Sequence, residues 1–160
     1  MESFDYFVIA RVIHIAAVVY WIGGVAFVTT VLIPSIKANK NPNVRLEQFE
    51  QLEGRFAKQA KVSTTLAMLS GFYMAHYLNA WDRYLDSSFW WMHLMTLVWF
   101  VFALVLFVLE PLVLHEKFKE WATKDSQKSF NRLHTMHIVL LSISTIAIVG
   151  AMAGSHGIAF

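Results

Sequence analysis

Four stretches without a charged residue constrain this chain more than any other feature of its sequence. They cover residues 12–36, 62–81, 87–109 and 133–160, and none of them contains Lys, Arg, Asp or Glu. Each is close to the ~20 residues that a helix needs to cross the ~30 Å hydrocarbon core of a bilayer. Because lipid offers the backbone no hydrogen-bond partners, helices are expected there and open strands are not.

The predicted fold is all-α: a membrane-embedded, up-down-up-down four-helix bundle that forms one domain over residues 1–160. The expected spans are about 9–36, 58–80, 88–114 and 132–154. The composition agrees, since 57% of the residues are hydrophobic and the mean hydropathy is +0.50. These values are too high for a soluble domain of this length, and they indicate the lipid bilayer as the surrounding medium.

The distribution of basic residues predicts the orientation of the spans. Of the 13 Lys and Arg residues, all but Arg11 and Arg83 lie in the connections between spans 1 and 2 and between spans 3 and 4. The positive-inside rule places both connections in the cytoplasm and both termini on the outer side. We therefore expect a multi-pass protein of a bacterial inner (cytoplasmic) membrane with periplasmic termini, and no nucleic acid as a partner.

The connection that leads into span 2 carries apolar residues among its charges. These are Val44, Leu46, Phe49, Leu52 and Phe56. The pattern predicts an amphipathic helix at the inner surface, with a break at Gly54 as one alternative.

Four histidines are expected in the outer layer of the predicted bundle: His14, His76 and His93 on the spans, and His156 in the tail after the last span. Ionisable groups within a membrane are costly, so each is a candidate functional residue. His14 and His93 lie at matching depth on spans 1 and 3, with apolar neighbours on both sides. His76 lies nearer the aqueous boundary, where an interfacial ring is an ordinary alternative.

Spans 1 and 3 are diagonal in an up-down-up-down bundle, on the order of 13 Å apart. Two imidazoles that reach inward across this distance suit the iron of one b-type haem. We therefore predict His14 and His93 as axial ligands of a low-spin haem. Pairing of His14 with His76 on the adjacent span is the alternative.

Three further residues of span 1 are assigned to the surroundings of this site. Arg11 lies on the face of His14 and pairs with a haem propionate or with lipid phosphates. Trp21 is on the same face and forms a pocket wall or ordinary core. Gly24, which follows Gly23, permits the close approach of a porphyrin edge or of another helix.

The inner half of the bundle holds a second group of histidines, His115, His134 and His137. They border the basic connections, where headgroup contacts and helix-end interactions also account for them. They are expected to form a second metal site only if the protein binds two haems per chain. The chain has no cysteine, so disulfides and thiolate metal sites are excluded.

Motifs in all four spans support a family resemblance. They are His-x6-Trp-x-Gly-Gly in "VIHIAAVVYWIGGVAFVTTVLIP", Arg-Phe in "GRFAKQAKVSTTLAMLSGFYM", the histidine in "FWWMHLMTLVWFVFALVLFVLEPLV" and Asn-Arg in "FNRLHTMHIVLLSISTIAIVG". In this order they resemble the small CopD-like integral membrane proteins, which are related to the HemJ-type protoporphyrinogen oxidases. The resemblance implies a four-span membrane protein that binds haem b or handles copper.

The predicted function is that of an integral membrane b-type haem protein in electron transfer or oxidoreduction, linked to a quinone, a porphyrin or a redox protein. One alternative is a CopD-like protein that binds or transports copper or another metal ion through His14, His76 and His93. Another is a cofactor-free accessory subunit of a membrane complex. Enzymatic activity and oligomeric state are left open, with a homo-oligomer among the alternatives.

Overall fold

The computed structural model describes residues 2–157, except for the side chains of residues 2, 3 and 113–115. The described part contains six α-helices, and two π-helical segments interrupt the longest apolar runs. The α-helices are α1 (Glu2–Phe27), α2 (Ile33–Ala38), α3 (Pro42–Tyr77), α4 (Trp90–Ala103), α5 (His115–Lys124) and α6 (Ser126–Ser155). The segment π1 (Val28–Leu32) joins α1 to α2, and the segment π2 (Leu104–Leu114) joins α4 to α5.

The predicted all-α fold is confirmed, because no strand occurs in the part of the chain that the structure describes. Three helical stretches are long and apolar enough to cross a membrane: Phe4–Ala38, Ser87–Leu112 and Ser126–Ser155. In their most apolar windows only 33%, 17% and 17% of the residues are buried. Most of their large apolar side chains therefore point outward, as expected for surfaces that face lipid.

Helix α3 differs from these three stretches because its packing face consists of small residues. Its buried positions repeat at intervals of three and four residues, which places them on one side of a helix. Small side chains let neighbouring helix backbones approach closely and supply little hydropathy. This stripe is formed by Ala57, Ala60, Thr64 and Ala67.

Helix α1 packs along this stripe in the antiparallel direction. Phe7 stacks on Tyr77 with ring centroids 4.8 Å apart, which joins the start of α1 to the end of α3. Further along α1, Gly24 packs against the ring of Phe56 near the middle of α3.

A second antiparallel pair is formed by α4 and α6. The ring of Trp90 lies against Gly150, and the ring of Trp91 lies against Gly154. The two pairs meet in a central core, where Trp21 of α1 contacts Phe102 of α4 edge-on with ring centroids 5.0 Å apart. Ala67 of α3 and Ala147 of α6 belong to the same buried cluster, so all four long helices contribute to it.

The two basic connections lie together at one end of the structure. Arg45 at the start of α3 donates to the Gln127 side chain at the start of α6, at 2.8 Å. Phe49 of α3 contacts Phe118 of α5, with ring centroids 4.9 Å apart. The turn between α3 and α4 lies at the opposite end, where α1 begins and α6 ends.

The connection before span 2 is helical as expected, but it has no break at Gly54. Helix α3 continues from Pro42 to Tyr77, and its first turn is capped by the Asn41 side chain, which accepts from Asn43 N–H. Gly54 is exposed and lies within the helix, where nothing would contact an added Cβ within 4 Å. One helix therefore provides both the inner-surface segment and the segment expected as span 2.

The two π-helical segments were not predicted, although a proline accompanies each of them. Pro34 follows π1 and has no N–H to donate, and Pro111 lies inside π2. In π1 the N–H of Ile33 donates to the Val28 carbonyl, five residues back. The Thr29 carbonyl therefore loses its usual partner at Ile33, and the next residue, Pro34, has no hydrogen to offer.

Candidate functional site

His14 is held against α3 by its side-chain nitrogen. Its Nδ1 lies 2.9 Å from the Ala67 carbonyl oxygen and 3.2 Å from Ser70 Oγ. A carbonyl can only accept a hydrogen bond, so Nδ1 carries the proton and donates it. An added Cβ at Gly71 would lie 3.1 Å from His14 Cε1, so this glycine provides the space for the ring.

This arrangement leaves Nε2 of His14 as the nitrogen with a free lone pair. A metal-bound histidine commonly donates its other ring N–H to a backbone carbonyl, which sets the tautomer and the ring orientation. His14 already has this second interaction, through Ala67. Its geometry therefore fits that of an axial ligand, although the same bond also satisfies a histidine with a purely structural role.

Two buried polar atoms of α1 and α3 lack a hydrogen-bond partner in the described structure. They are Nε1 of Trp21 and Oγ1 of Thr64. Both residues lie between the contact of His14 with Ala67 and the contact of Gly24 with Phe56. Buried groups of this kind usually bind an ordered water or a polar group of a ligand.

His93 is engaged by the turn that precedes α4. It is exposed on α4, and its Nε2 donates to the Tyr84 carbonyl at 2.9 Å. Its ring also contacts the Tyr84 ring edge-on, with centroids 5.4 Å apart. The Nδ1 atom of His93 also lies 3.3 Å from the Phe89 carbonyl oxygen, so both ring nitrogens face backbone carbonyls in this structure. A haem shared by His93 and His14 stays a prediction.

The turn that holds His93 is itself organised by local hydrogen bonds. The Asp86 carboxylate accepts from the Ser88 N–H at 2.8 Å, at the start of the short 3₁₀ turn Ser87–Phe89. This hydrogen bond lowers the pKa of Asp86 below its ordinary value. The folded pKa is depressed, so the contribution of this cap is present above the ordinary carboxyl pKa and is lost as the pH falls through the lowered value.

The other residues expected near the outer site are not brought into one group. His76 and Arg11 are exposed, and neither makes a side-chain hydrogen bond or ion pair within the described residues. Among the described side chains, no three His, Asp or Glu groups converge as a metal site would require. The three histidines of the copper alternative thus do not form a ligand cluster in this structure.

Trp21 and Gly24 occupy packing positions. Trp21 is buried against Phe102, as a core or pocket-wall residue would be. An added Cβ at Gly24 would lie 2.6 Å from a ring atom of Phe56, so Gly24 permits the approach of helix α3. The motif residues Gly24 and Phe56, far apart in sequence, are in contact.

The inner histidines have separate environments. His134 Nε2 donates to the Thr29 carbonyl at 3.0 Å, and Lys37 Nζ lies 3.5 Å from its Nδ1. His134 thereby caps the carbonyl that the π1 segment leaves without a helical partner. His137 Nδ1 donates to the Leu133 carbonyl of its own helix at 2.9 Å. The side chain of His115 lies outside the described residues.

Sequence reasoning missed the residues that hold the two outer histidines. Ala67, Ser70 and Gly71 contact His14, and their signal was the stripe of small residues along α3, at intervals of three and four. The acceptor of His93 is Tyr84, in an irregular turn, and no periodic pattern points to it.

Comparison with known proteins gives no match to a protein-family model, to a curated protein or to a solved structure. The resemblance to the CopD-like family therefore remains a prediction from the four motifs.

Proposed function

We propose that this chain is an integral membrane protein with four spanning helices. Helix α3 would cross the membrane in addition to the three long apolar stretches described above. Residues 62–81 contain no charged residue, and α3 lies antiparallel to α1 from Phe56 to Tyr77. A helix that accompanies a membrane-spanning partner over this distance crosses the same hydrocarbon layer. Ser63, Thr64 and Ser70 lie on its buried packing face, which is where membrane helices tolerate polar residues. The hydroxyl of the exposed Thr65 donates to the Lys61 carbonyl of its own helix.

Reporter fusions distinguish four spans from three. With four spans, a reporter in the turn at Arg83 and a reporter at the C-terminus both lie outside, while one after Lys124 lies in the cytoplasm. We expect alkaline phosphatase activity at the first two positions and green fluorescence only at the third. If α3 stays on the inner surface, the Arg83 reporter will be cytoplasmic and the proposed topology will be wrong.

For the function, we propose binding of a b-type haem with His14 as the axial ligand. The observation that carries this proposal is the fixed imidazole: Nδ1 donates to the Ala67 carbonyl, Gly71 leaves room for the ring, and Nε2 stays free. Unpartnered Nε1 of Trp21 and Oγ1 of Thr64 support it, because they offer polar atoms in the same part of the core.

Bound haem would supply one-electron chemistry within the bilayer, and the chain would supply its binding and its environment. His14 would set the ligand field, while the apolar core around Trp21 and Phe102 would exclude water. Exclusion of water and the number of strong ligands are the main protein controls on a haem potential. Electron transfer or oxidoreduction linked to a membrane-soluble partner is the role that such a site would serve.

Visible spectroscopy of the purified protein tests this proposal. We expect a Soret band and a pyridine haemochrome assay that gives one haem b per chain. Since Tyr84 engages His93, the haem should be five-coordinate and high-spin, with His14 as its protein ligand. Stoichiometric copper without porphyrin would support the metal-transport alternative, and absence of both would leave His14 as a structural residue.

A further inference from the structure

A second site is suggested by a cavity of about 270 Å³ at the inner end of the structure, away from His14. Its walls come from π1, α3, π2, α5 and α6. This volume is near the lower end of the range for pockets that bind small organic ligands.

Both π-helical segments line this cavity. Val28 and Leu32 belong to π1, and Leu106 and Glu110 belong to π2. A π turn adds a residue to a helical turn and is frequently found at functional sites. The cavity therefore lies where two helices depart from regular α geometry, next to the prolines Pro34 and Pro111.

The walls are suited to a flat, apolar molecule. Phe49, Phe56 and Phe118 line the space together with aliphatic side chains. Phe49 and Phe118 are in contact, with centroids 4.9 Å apart and planes tilted by 47°. Aromatic faces and edges of this kind bind another ring through stacked or edge-on contacts.

Two lysine–carboxylate pairs at the cavity disfavour a cationic ligand. Glu110 pairs with Lys61 at 3.1 Å, and Glu50 pairs with Lys119 at 3.3 Å. Each pair brings a lysine from one helix to a carboxylate of another, so these two carboxylates are already neutralised. A cationic ligand would therefore lose its hydration in this space without an unpaired carboxylate from these two pairs beside it.

His137 supplies an acceptor for a ligand. It lines the cavity, and its Nδ1 donates to the Leu133 carbonyl. In the neutral ring the other nitrogen, Nε2, has a lone pair and no hydrogen. It makes no hydrogen bond in the described structure, so a matching ligand must offer a hydrogen-bond donor.

We propose that this cavity binds a small aromatic molecule with a ring hydroxyl group and an otherwise apolar body, as in alkylated hydroquinones. The hydroxyl donates to Nε2 of His137, and the ring packs among Phe49, Phe56 and Phe118. This binding does not depend on the haem proposed at His14.

Two probes with the same tetramethylbenzene ring test the role of the hydroxyl group. Tetramethylhydroquinone and its dimethyl ether are titrated into the full chain in nanodiscs, without oxygen, and binding is followed by calorimetry. A hydrogen bond to His137 predicts that the hydroquinone binds about tenfold more tightly than the ether. Equal affinities for the wild-type protein would overturn the proposal.

Substitutions locate the binding to this cavity. His137→Phe keeps a ring of similar size and removes the acceptor, so the two probes should bind with equal affinity. Leu133→Trp fills the cavity and should abolish both interactions. Ile138→Trp on the same helix is the matched control, because Ile138 is 46% exposed and does not line the cavity. Binding that survives Leu133→Trp, or a preference that survives His137→Phe, would contradict the proposal.

An anionic amphiphile is the rival occupant, because Arg132 lines both this cavity and the open groove beside it. Oleate is therefore titrated in the same way. The proposal predicts that oleate does not displace the hydroquinone. Displacement that is lost in Arg132→Gln would assign the cavity to an anionic lipid instead. If Leu133→Trp fails to fold, the test still stands on His137→Phe. In that variant the affinities of tetramethylhydroquinone and its dimethyl ether are compared within one folded protein.

Discussion

Replacement of His14 by alanine is expected to remove the bound haem, with a loss of affinity larger than for any other single histidine. The substitution deletes the nitrogen donor and leaves the Ala67 carbonyl and Ser70 hydroxyl facing an empty space. Changes to residues that only orient a ligand cost about 10–100-fold in metal affinity, and loss of the ligand itself should exceed this. Haem per chain after purification is the measurement.

Gly71→Ala tests the same site without altering the ligand. The added methyl group would lie 3.1 Å from His14 Cε1 and 3.4 Å from its Nδ1, so the ring must shift by a few tenths of an ångström. We expect about tenfold weaker haem binding with the protein still folded. Gly54→Ala on the same helix is the matched control, because nothing lies within 4 Å of its added Cβ.

His93→Ala and His76→Ala distinguish a single axial histidine from a pair. Both side chains are exposed, and His93 is engaged by the Tyr84 carbonyl. We expect both variants to retain haem with an unchanged spectrum. A low-spin spectrum that His93→Ala converts to high-spin would restore the diagonal pair of the sequence prediction, with the turn releasing His93 on haem binding. A loss confined to His76→Ala would favour the adjacent pair.

Gly150→Ala is expected to cause a large loss of stability, because the Trp90 ring leaves no room for an added methyl group. Its Cβ would lie 2.5 Å from Cη2 of Trp90 and 2.9 Å from Cζ2. The indole is rigid and packs between α4 and α6, so the two helices must separate or the ring must leave its position. Overpacking of this kind costs about 1–3 kcal/mol, and we expect a value near the upper end. The midpoint of denaturation in detergent measures it.

The control for Gly150→Ala is again Gly54→Ala, which should have the opposite sign. Gly54 is exposed within α3, and alanine is favoured over glycine in a helix by about 1 kcal/mol. Trp90→Phe combined with Gly150→Ala provides a second check, because a smaller ring relieves the contact and the two effects should not add. If Gly150→Ala raised stability as Gly54→Ala does, the packing of Trp90 on α6 would be wrong.

The helices were predictable because the lipid bilayer restricts long uncharged stretches of a chain to helical structure. Long stretches without charge can only be helical in lipid, and helices occupy the four expected stretches except for residues 78–80, which form a turn. The boundaries differ where local chemistry extends a helix: α3 begins at Pro42 under an Asn41 cap, and α6 begins at Ser126 under an Asp125 cap. Both caps were readable from the sequence, since Asn and Asp before a helix start are common N-caps.

The candidate site was predictable in part. His14 stands out in the sequence, because an imidazole among apolar residues needs a polar partner. That partner is a backbone carbonyl of α3, and a backbone carbonyl has no sequence signature. The glycine that makes room for the ring, Gly71, became recognisable only once α1 and α3 were aligned in the antiparallel direction.

The sequence was sufficient for properties that depend on composition along one helix: the helical class, the apolar stretches and the small-residue stripe of α3. The packing of helices in space was needed for the direction of each histidine. The position of a residue in a helix sets the face on which its side chain lies. The neighbouring turn decides which backbone carbonyl its ring nitrogen contacts. The Tyr84 carbonyl therefore engages His93, and Pro34 leaves the Thr29 carbonyl for His134 to cap. Such contacts join residues distant in sequence, and no local pattern encodes them.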